Sequence, residues 1–212
     1  WNFPVAIPAG GVLAGLASGS GVIIKPAKLT QRCGAVMVEA LWAAGVPRDL
    51  LALVALASRD LGTRLVASPQ VDRVILTGAY ETAQLFRSFR ADLPLLAETS
   101  GKNAIIVTPS ADLDLAAADV ARSAFGHAGQ KCSAASLAIL VGSVADSKRF
   151  ERQLVDAVTS MRVGLPDDPA TQMGPIIEPA NGKLLTALTT LDKGERWLVE
   201  PRKLDDEGKQ WT

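Results

Sequence analysis

The chain has 212 residues, of which 22 are basic and 22 acidic, so its formal net charge is zero. This length suffices for one large domain or two smaller ones, and without a run of basic residues we predict no nucleic-acid partner. Two widely separated cysteines, Cys33 and Cys132, and a single histidine exclude a disulfide framework and a histidine-rich metal site, and we predict no metal.

The first long apolar stretch, residues 7–24, is rich in glycine and interrupted by serines, so it is not a plausible membrane span. It also lacks the basic region that precedes a secretory signal. We therefore predict no membrane contact and a cytoplasmic protein. Within this stretch, Gly10–Gly15 falls in a predicted helix and carries no nucleotide-binding fingerprint.

From Val22 onward, strand-like runs alternate with stretches whose apolar residues have helical spacing. We expect strands at residues 21–25, 50–56, 71–78, 93–99, 103–108 and 136–141. We expect helices at residues 34–44, 61–67, 80–90, 113–124 and 150–161. The first helix has its apolar positions at Val36, Met37, Ala40, Leu41 and Ala44, and is ended by Gly45 and Pro47. Residues 165–182 are predicted to form a loop.

Strands separated by helices are typical of βαβ units, and hence of an α/β fold whose parallel sheet is covered by helices on both faces. We place a domain boundary near Ser100–Gly101. In such sheets, ligands bind beyond the carboxyl ends of the strands. Lys25 lies at one such end, where it could hold a ribose hydroxyl or a phosphate, or could be a solvated lysine in a turn. Gly78 and Ala79 link a strand to a helix, whose first N–H groups can bind a pyrophosphate.

Three other residues have the chemistry of a catalytic site. Asn2 is a polar amide between two aromatic residues in "WNFP", and Glu98 ends an apolar strand, where burial would make it a stronger general base. Cys132 lies in "GHAGQKCSAAS". It is either a buried small hydrophobe or a nucleophile, and Gly129 and the small residues that follow the cysteine leave room for a substrate.

Six motifs, "WNFP", "KPA", "LTG", "ETSGKN", "GQKCSA" and "DPATQMGPII", follow one another in the order and at the spacing of the aldehyde dehydrogenase superfamily. The chain resembles this superfamily from residue 1 to about residue 181. Within it, the chain is most similar to the Δ1-pyrroline-5-carboxylate (L-glutamate γ-semialdehyde) dehydrogenases, including the dehydrogenase half of bifunctional proline-utilisation proteins. This closer similarity rests on "GQKCSAAS", "ETSGKNAIIV" and residues 182–206.

The resemblance implies parallel sheets flanked by helices, with residues 1–100 as part of a Rossmann-like NAD-binding domain and residues 101–212 as part of a catalytic domain. It implies NAD-dependent oxidation of an aldehyde, L-glutamate γ-semialdehyde, to a carboxylate in proline catabolism. It also implies a homo-oligomeric parent enzyme, in some relatives fused to a proline dehydrogenase.

The resemblance also implies roles for individual residues. Cys132 would attack the aldehyde, the Asn2 amide and the Cys132 N–H would hold the oxyanion, and Glu98 would activate water for thioester hydrolysis. Ser133 would hold the α-carboxylate of the substrate. The cofactor would be bound by Lys25, Lys28, Gly62, Gly78 and Ala79. Cys33 is predicted to pack on a helix face. His127 is predicted to be structural or to support the residues that act on the substrate, rather than to be the general base, because Glu98 already has that role.

Some positions depart from the family pattern. Lys28 stands where many relatives have a glutamate that accepts hydrogen bonds from the adenosine ribose, and a cation there could tolerate the 2′-phosphate of NADP. The family segment "EIFGP", whose glutamate orients the nicotinamide ribose, does not occur in the sequence. We therefore expect the central part of a longer enzyme. Two alternatives remain, a dehydrogenase of another semialdehyde such as succinate semialdehyde, or a non-catalytic nucleotide-binding fragment.

Overall fold

A computed structural model describes residues 1–212 of the chain. The chain divides into two compact units, Trp1–Ser100 and Gly101–Thr212. The assignment of cofactor binding to the first unit and catalysis to the second stays a prediction.

The first unit contains four helices and four strands. They are, in chain order, α1 (Ala6–Ala17), β1 (Val22–Ile24), α2 (Gln31–Ala43), β2 (Leu51–Leu53), α3 (Arg59–Ala67), β3 (Val74–Gly78), α4 (Tyr80–Phe89) and β4 (Leu95–Thr99). Strand β1 pairs with β2, and β3 pairs with β4, both in parallel. The strands are shorter than the apolar runs that predicted them, β2 most of all.

The second unit contains two strands and three helices. They are β5 (Asn103–Val107), α5 (Leu113–Phe125), β6 (Ala135–Leu140), α6 (Lys148–Thr159) and α7 (Gly182–Thr189). Strands β5 and β6 pair in parallel, with an irregular register between Asn103 and Ala104. Short 3-10 turns lie at residues 126–129 and 142–144.

Each pair of strands is connected by a helix, so three βαβ units follow one another and confirm the α/β fold with parallel strands. The parallel strands form three separate sheets, and each sheet has only two strands. Because successive side chains of a strand point to opposite faces, one face of each pair remains open. Several strand residues are accordingly more than half exposed: Ile23, Ile75, Leu96 and Ile106. None of the helices combines the length and hydrophobicity needed to cross a membrane.

Each unit has its own apolar core. In the first unit the buried residues are Val12, Ile24, Met37, Val38 and Leu51. In the second they are Val107, Ala117, Val144 and Phe150. The stripe predicted for α5 is confirmed, because Ala117, Val120 and Ala121 are buried.

The stripe predicted for α2 is confirmed at Met37 and Leu41, which belong to or pack against the core, and is wrong at its other positions, which are exposed. Val36 is 57% exposed, whereas Gly34, Met37 and Val38 are buried. Gly34 lies against Pro26 so closely that a Cβ at this position would overlap the proline ring. This close contact turns the glycine inward and Val36 outward.

Side-chain caps determine where several helices begin. The Ser58 hydroxyl accepts a hydrogen bond from the Leu61 N–H, so α3 begins two residues before the predicted start. Asp112 and Ser147 cap α5 and α6 in the same way. Helix α7 was not predicted. It has no side-chain cap to mark its start, and its residues Leu184 and Leu185 are exposed.

Candidate active site

Cys132 lies in the segment that joins α5 to β6. The Ala134 N–H donates a hydrogen bond of 3.2 Å to the Lys131 carbonyl, so Cys132 and Ser133 are the two central residues of a tight turn. Both side chains are exposed, so the interpretation of Cys132 as a buried filler is wrong. Neither the N–H of Cys132 nor that of Ser133 makes a hydrogen bond within the chain. This turn therefore presents a thiol beside free backbone donors.

The backbone before this turn has an uncommon conformation. His127 (φ 56°), Ala128 (φ 54°) and Gly129 (φ 68°) are three consecutive residues in the left-handed region. Residues with a Cβ rarely adopt this conformation, and it is frequent at functional sites. A Cβ at position 129 would also lie 3.0 Å from the Ala124 carbonyl oxygen, so glycine is the residue that fits there.

Two side-chain amides bind this segment to the rest of the second unit. Gln130 Oε1 accepts a hydrogen bond of 2.9 Å from the Ile177 N–H, and its Nε2 donates to the carbonyl oxygens of Pro175 (3.3 Å) and His127 (3.1 Å). Asn103 Nδ2 donates to the carbonyl oxygens of Cys132 (2.6 Å) and Ala134 (3.0 Å). Sequence reasoning missed both amides. Both could have been noticed from the sequence, because Asn103 lies in the motif "ETSGKN" and Gln130 in the motif "GQKCSA".

An open cleft of about 330 Å³ adjoins the turn. Two of its side chains, Arg122 and Lys131, are cationic, and Ser123 and Ser133 contribute hydroxyls. Asp119 is its one acidic residue, and Ile105 and Ala134 form the apolar wall. The composition is suited to a small ligand that carries a carboxylate.

In the first unit, Asn2 precedes α1 and is half-buried, and Glu98 lies on β4 opposite Thr77 of β3. The burial expected for Glu98 is wrong for this chain, because its side chain is exposed. The reason is that β4 is an edge strand of a sheet with only two strands. Glu98 and the Gly78–Ala79 link nevertheless lie at the same edge, the carboxyl ends of β3 and β4.

The residues predicted to bind the cofactor differ in what they offer. Lys25 follows β1 directly, Lys28 begins a short 3-10 turn, and both side chains are exposed without an ion pair or hydrogen bond in the chain. Ala79 occupies the N-cap of α4 and supplies no side-chain cap, so the helix start is available to an anion. Each of these two places could bind a phosphate or a hydroxyl group. Gly62 fits less well, since its N–H already donates to the Ser58 carbonyl at 3.4 Å inside α3.

Comparison with known proteins agrees with the motif order. Residues 1–208 match the aldehyde dehydrogenase family. The chain belongs to that family. The similarity to aldehyde dehydrogenases stated from the six motifs is thereby confirmed.

Two kinds of relative resemble this aldehyde dehydrogenase chain in sequence. The 1-pyrroline-5-carboxylate dehydrogenase of Geobacillus kaustophilus is 39% identical over 97% of the chain, which spans 41% of that relative. The bifunctional protein PutA of Salmonella typhimurium is 34% identical over 100% of the chain, which spans 17% of that protein. The chain thus covers about two fifths of the length of the first relative and less of the second.

Solved structures give the same result for the fold of this aldehyde dehydrogenase chain. Proline utilization A (PutA) from Corynebacterium freiburgense is 57% identical with a TM-score of 0.94, covering 100% of the chain and 22% of that structure. The 1-pyrroline-5-carboxylate dehydrogenase of Thermus thermophilus is 33% identical with a TM-score of 0.77, covering 84% of the chain and 36% of that structure. The aldehyde-dehydrogenase-like α/β fold is therefore confirmed.

Proposed function

We propose that this chain carries the nucleophile of an NAD(P)-dependent aldehyde dehydrogenase that oxidises L-glutamate γ-semialdehyde to glutamate. The observation that carries the proposal is the exposed Cys132 thiol in a turn where the N–H groups of Cys132 and Ser133 make no hydrogen bond within the chain. The names of the relatives, 1-pyrroline-5-carboxylate dehydrogenase and bifunctional PutA, support the substrate and the place in proline catabolism.

Cys132 would act as the nucleophile, and its attacking form would be the thiolate. Its Sγ attacks the aldehyde carbon, a C–S bond forms, and the carbonyl π electrons move to the oxygen, giving a thiohemiacetal oxyanion. The free N–H of Cys132 and the side-chain amide of Asn2 would donate hydrogen bonds to this oxygen. A single donor of this kind can contribute roughly 3–4 kcal/mol in the transition state.

Lys25 and Lys28 would hold the adenosine end of the cofactor, and the N-terminus of α4 would hold the pyrophosphate. When bound, NAD⁺ or NADP⁺ supplies the hydride acceptor that converts the thiohemiacetal to a thioester. Glu98 would then take a proton from a water molecule as that water attacks the thioester carbon, and the Cys132 thiolate would leave with the electrons of the C–S bond. The products are the carboxylate and the restored cysteine.

Arg122, Lys131 and Ser133 line the cleft beside the cysteine and suit the carboxylate of a semialdehyde substrate. L-Glutamate γ-semialdehyde and succinate semialdehyde both carry such a carboxylate, so the cleft alone does not separate them. The names of the relatives favour the first. We further propose a cytoplasmic homo-oligomer for the parent protein. A proline dehydrogenase fused to it is supported by the word bifunctional in the name of the Salmonella relative.

The test is to measure kcat/KM of the full-length protein for a panel of aldehydes, with NAD⁺ or NADP⁺ as cofactor. We expect the highest kcat/KM for L-glutamate γ-semialdehyde, and Cys132→Ala should lower kcat by about 10⁴-fold or more because the nucleophile is removed. Cys33→Ser is the matched control, since Cys33 is a partly buried residue of α2 and should not affect turnover.

Two results would contradict the proposal. Turnover that survives Cys132→Ala would show that Cys132 is not the nucleophile. A higher kcat/KM for succinate semialdehyde would show that L-glutamate γ-semialdehyde is not the preferred substrate. Calorimetry with NAD⁺ on the 212-residue chain addresses the remaining alternative, because cofactor binding together with no turnover in any form of the protein would favour a non-catalytic nucleotide-binding role.

A further inference from the structure

We propose that Gln130 and Asn103 are positioning residues for Cys132, and that together they hold the turn 131–134 in the orientation its chemistry requires. This inference rests on the function proposed above, since it concerns the same thiol. Neither amide contacts the thiol itself. Each acts on the backbone that carries it.

Gln130 holds the amino-terminal side of the turn. Its amide uses both ends, accepting from the Ile177 N–H at 2.9 Å and donating to the Pro175 carbonyl at 3.3 Å. One side chain thus makes the pair of hydrogen bonds that a neighbouring strand would make with residues 175–177. A third bond, to the His127 carbonyl at 3.1 Å, closes the left-handed segment on itself.

Asn103 holds the carboxyl-terminal side. Its Nδ2 donates to the Cys132 carbonyl at 2.6 Å and to the Ala134 carbonyl at 3.0 Å, which lie two residues apart. The first bond holds the peptide plane between Cys132 and Ser133, and the second holds the plane that follows Ala134, so the backbone is restrained at both ends of residues 132–134. This restraint limits the directions in which the Cα–Cβ bond of Cys132 can point. The register irregularity between Asn103 and Ala104 occurs at this point, so the amide acts where regular strand pairing stops.

The turn 131–134 needs the hydrogen bonds of Gln130 and Asn103 because burial does little to restrain it. Cys132 and Ser133 are exposed, so burial contributes little to the order of their side chains. The segment before them contains His127 and Ala128 in the left-handed region, and such conformations persist only where the surroundings hold them. A reactive thiol misplaced by about 1 Å can lose about two orders of magnitude in rate.

Fluorine NMR of the labelled thiol measures this order directly. In a Cys33→Ser background of the 212-residue chain, Cys132 is the only cysteine and can be alkylated with bromotrifluoroacetone. We expect one narrow resonance from the parent protein. Asn103→Asp and Gln130→Glu keep the size of each side chain but remove its N–H donors, and each should broaden the resonance or split it into at least two. Asn103→Ala and Gln130→Ala should have the same effect.

Gln172→Glu is the matched control. Gln172 lies in the same unit, accepts a hydrogen bond from the Arg162 N–H, and makes no side-chain hydrogen bond to residues 126–134. Its substitution adds the same charge and should leave the fluorine resonance narrow. A resonance that stays narrow in both isosteric variants, Asn103→Asp and Gln130→Glu, would overturn the positioning role.

Steady-state kinetics of the full-length protein provide the second part of the test. Asn103→Asp and Gln130→Glu should each lower kcat by about tenfold or more, with the cofactor KM within about twofold of the parent value, because only the reacting geometry is disturbed. Broadened spectra with unchanged kcat would also overturn the proposal. Turnover retained by Cys132→Ala would refute the proposed function, whereas narrow spectra together with an inactive Cys132→Ala would refute only the positioning role.

Discussion

The segment around Cys132 and the strand ends of the first unit contribute to the proposed reaction in different ways. The cysteine turn is held by five hydrogen bonds from two amide side chains, all within the second unit. The side chains of Lys25, Lys28 and Glu98 are exposed and make no comparable bonds. The nucleophile is therefore ordered by the local chain before any ligand arrives, whereas the cofactor side presents charges that a ligand would have to order.

The largest effect that sharpens this comparison is expected from Glu98→Gln. If Glu98 only removes a proton from water, the ordered cysteine should still be acylated while hydrolysis slows, and kcat should fall by about 10²–10⁴-fold. Intact-protein mass spectrometry after mixing with aldehyde and NAD⁺ should then find an acyl group on Cys132. Glu39→Gln, on the exposed side of α2, is the control and should retain full turnover. An unacylated Glu98→Gln enzyme would assign Glu98 to an earlier step.

An intermediate effect is expected from Lys28→Glu, which tests whether the unpaired cations select the cofactor. A carboxylate would repel the 2′-phosphate of NADP⁺ and could accept hydrogen bonds from the ribose of NAD⁺. The ratio of the two dissociation constants should therefore shift toward NAD⁺ by about tenfold, equivalent to about 1.4 kcal/mol. Calorimetric titration measures this without turnover. Lys193→Glu makes the same charge change in the second unit and should leave the ratio unchanged; equal ratios in both variants would exclude Lys28 from the cofactor site.

The smallest effect concerns the exposed ion pair between α5 and α6. Hydrogen bonds from Gln153 and then from Arg149 hold the pKa of Asp114 below its ordinary value. A lowered folded-state pKa stabilises the fold above the unfolded value, and this stabilisation is lost as the pH falls through the folded value. The unsubstituted protein should therefore be slightly more stable than Asp114→Asn at neutral pH, and the difference should begin to decrease below about pH 4 and shrink further as the pH approaches the lower folded-state pKa of Asp114. Urea unfolding from pH 7 to pH 3 measures it, and a pH-independent difference would contradict this account.

The order of strands and helices could be predicted from the sequence because apolar residues recur with different periods in strands and in helices. The burial pattern of α5 and the strand-to-helix link at Gly78 could be predicted for this reason. The motif letters were likewise sufficient for the family, because six short matches in order are much more specific than one.

What could not be predicted depended on contacts distant in sequence or on the absence of neighbours. The exposure of Glu98 follows from the two-stranded sheet, which no local pattern shows. The inward face of α2 depends on the contact of Gly34 with Pro26. The roles of Asn103 and Gln130 depend on carbonyls some 30 to 45 residues away, and a side-chain amide has the same letter whether it is solvated or bonded.

Parallel pairing between consecutive strands has a consequence for how the chain acquires its structure. Each strand finds its partner ~20–35 residues further on, so the entropy lost on closing each intervening stretch is modest and similar in all three cases. In each of the three pairs, the partner strand is the next strand along the chain. During synthesis, each βαβ unit can therefore form as soon as its second strand has left the ribosome. The three units can form in the order in which they are translated.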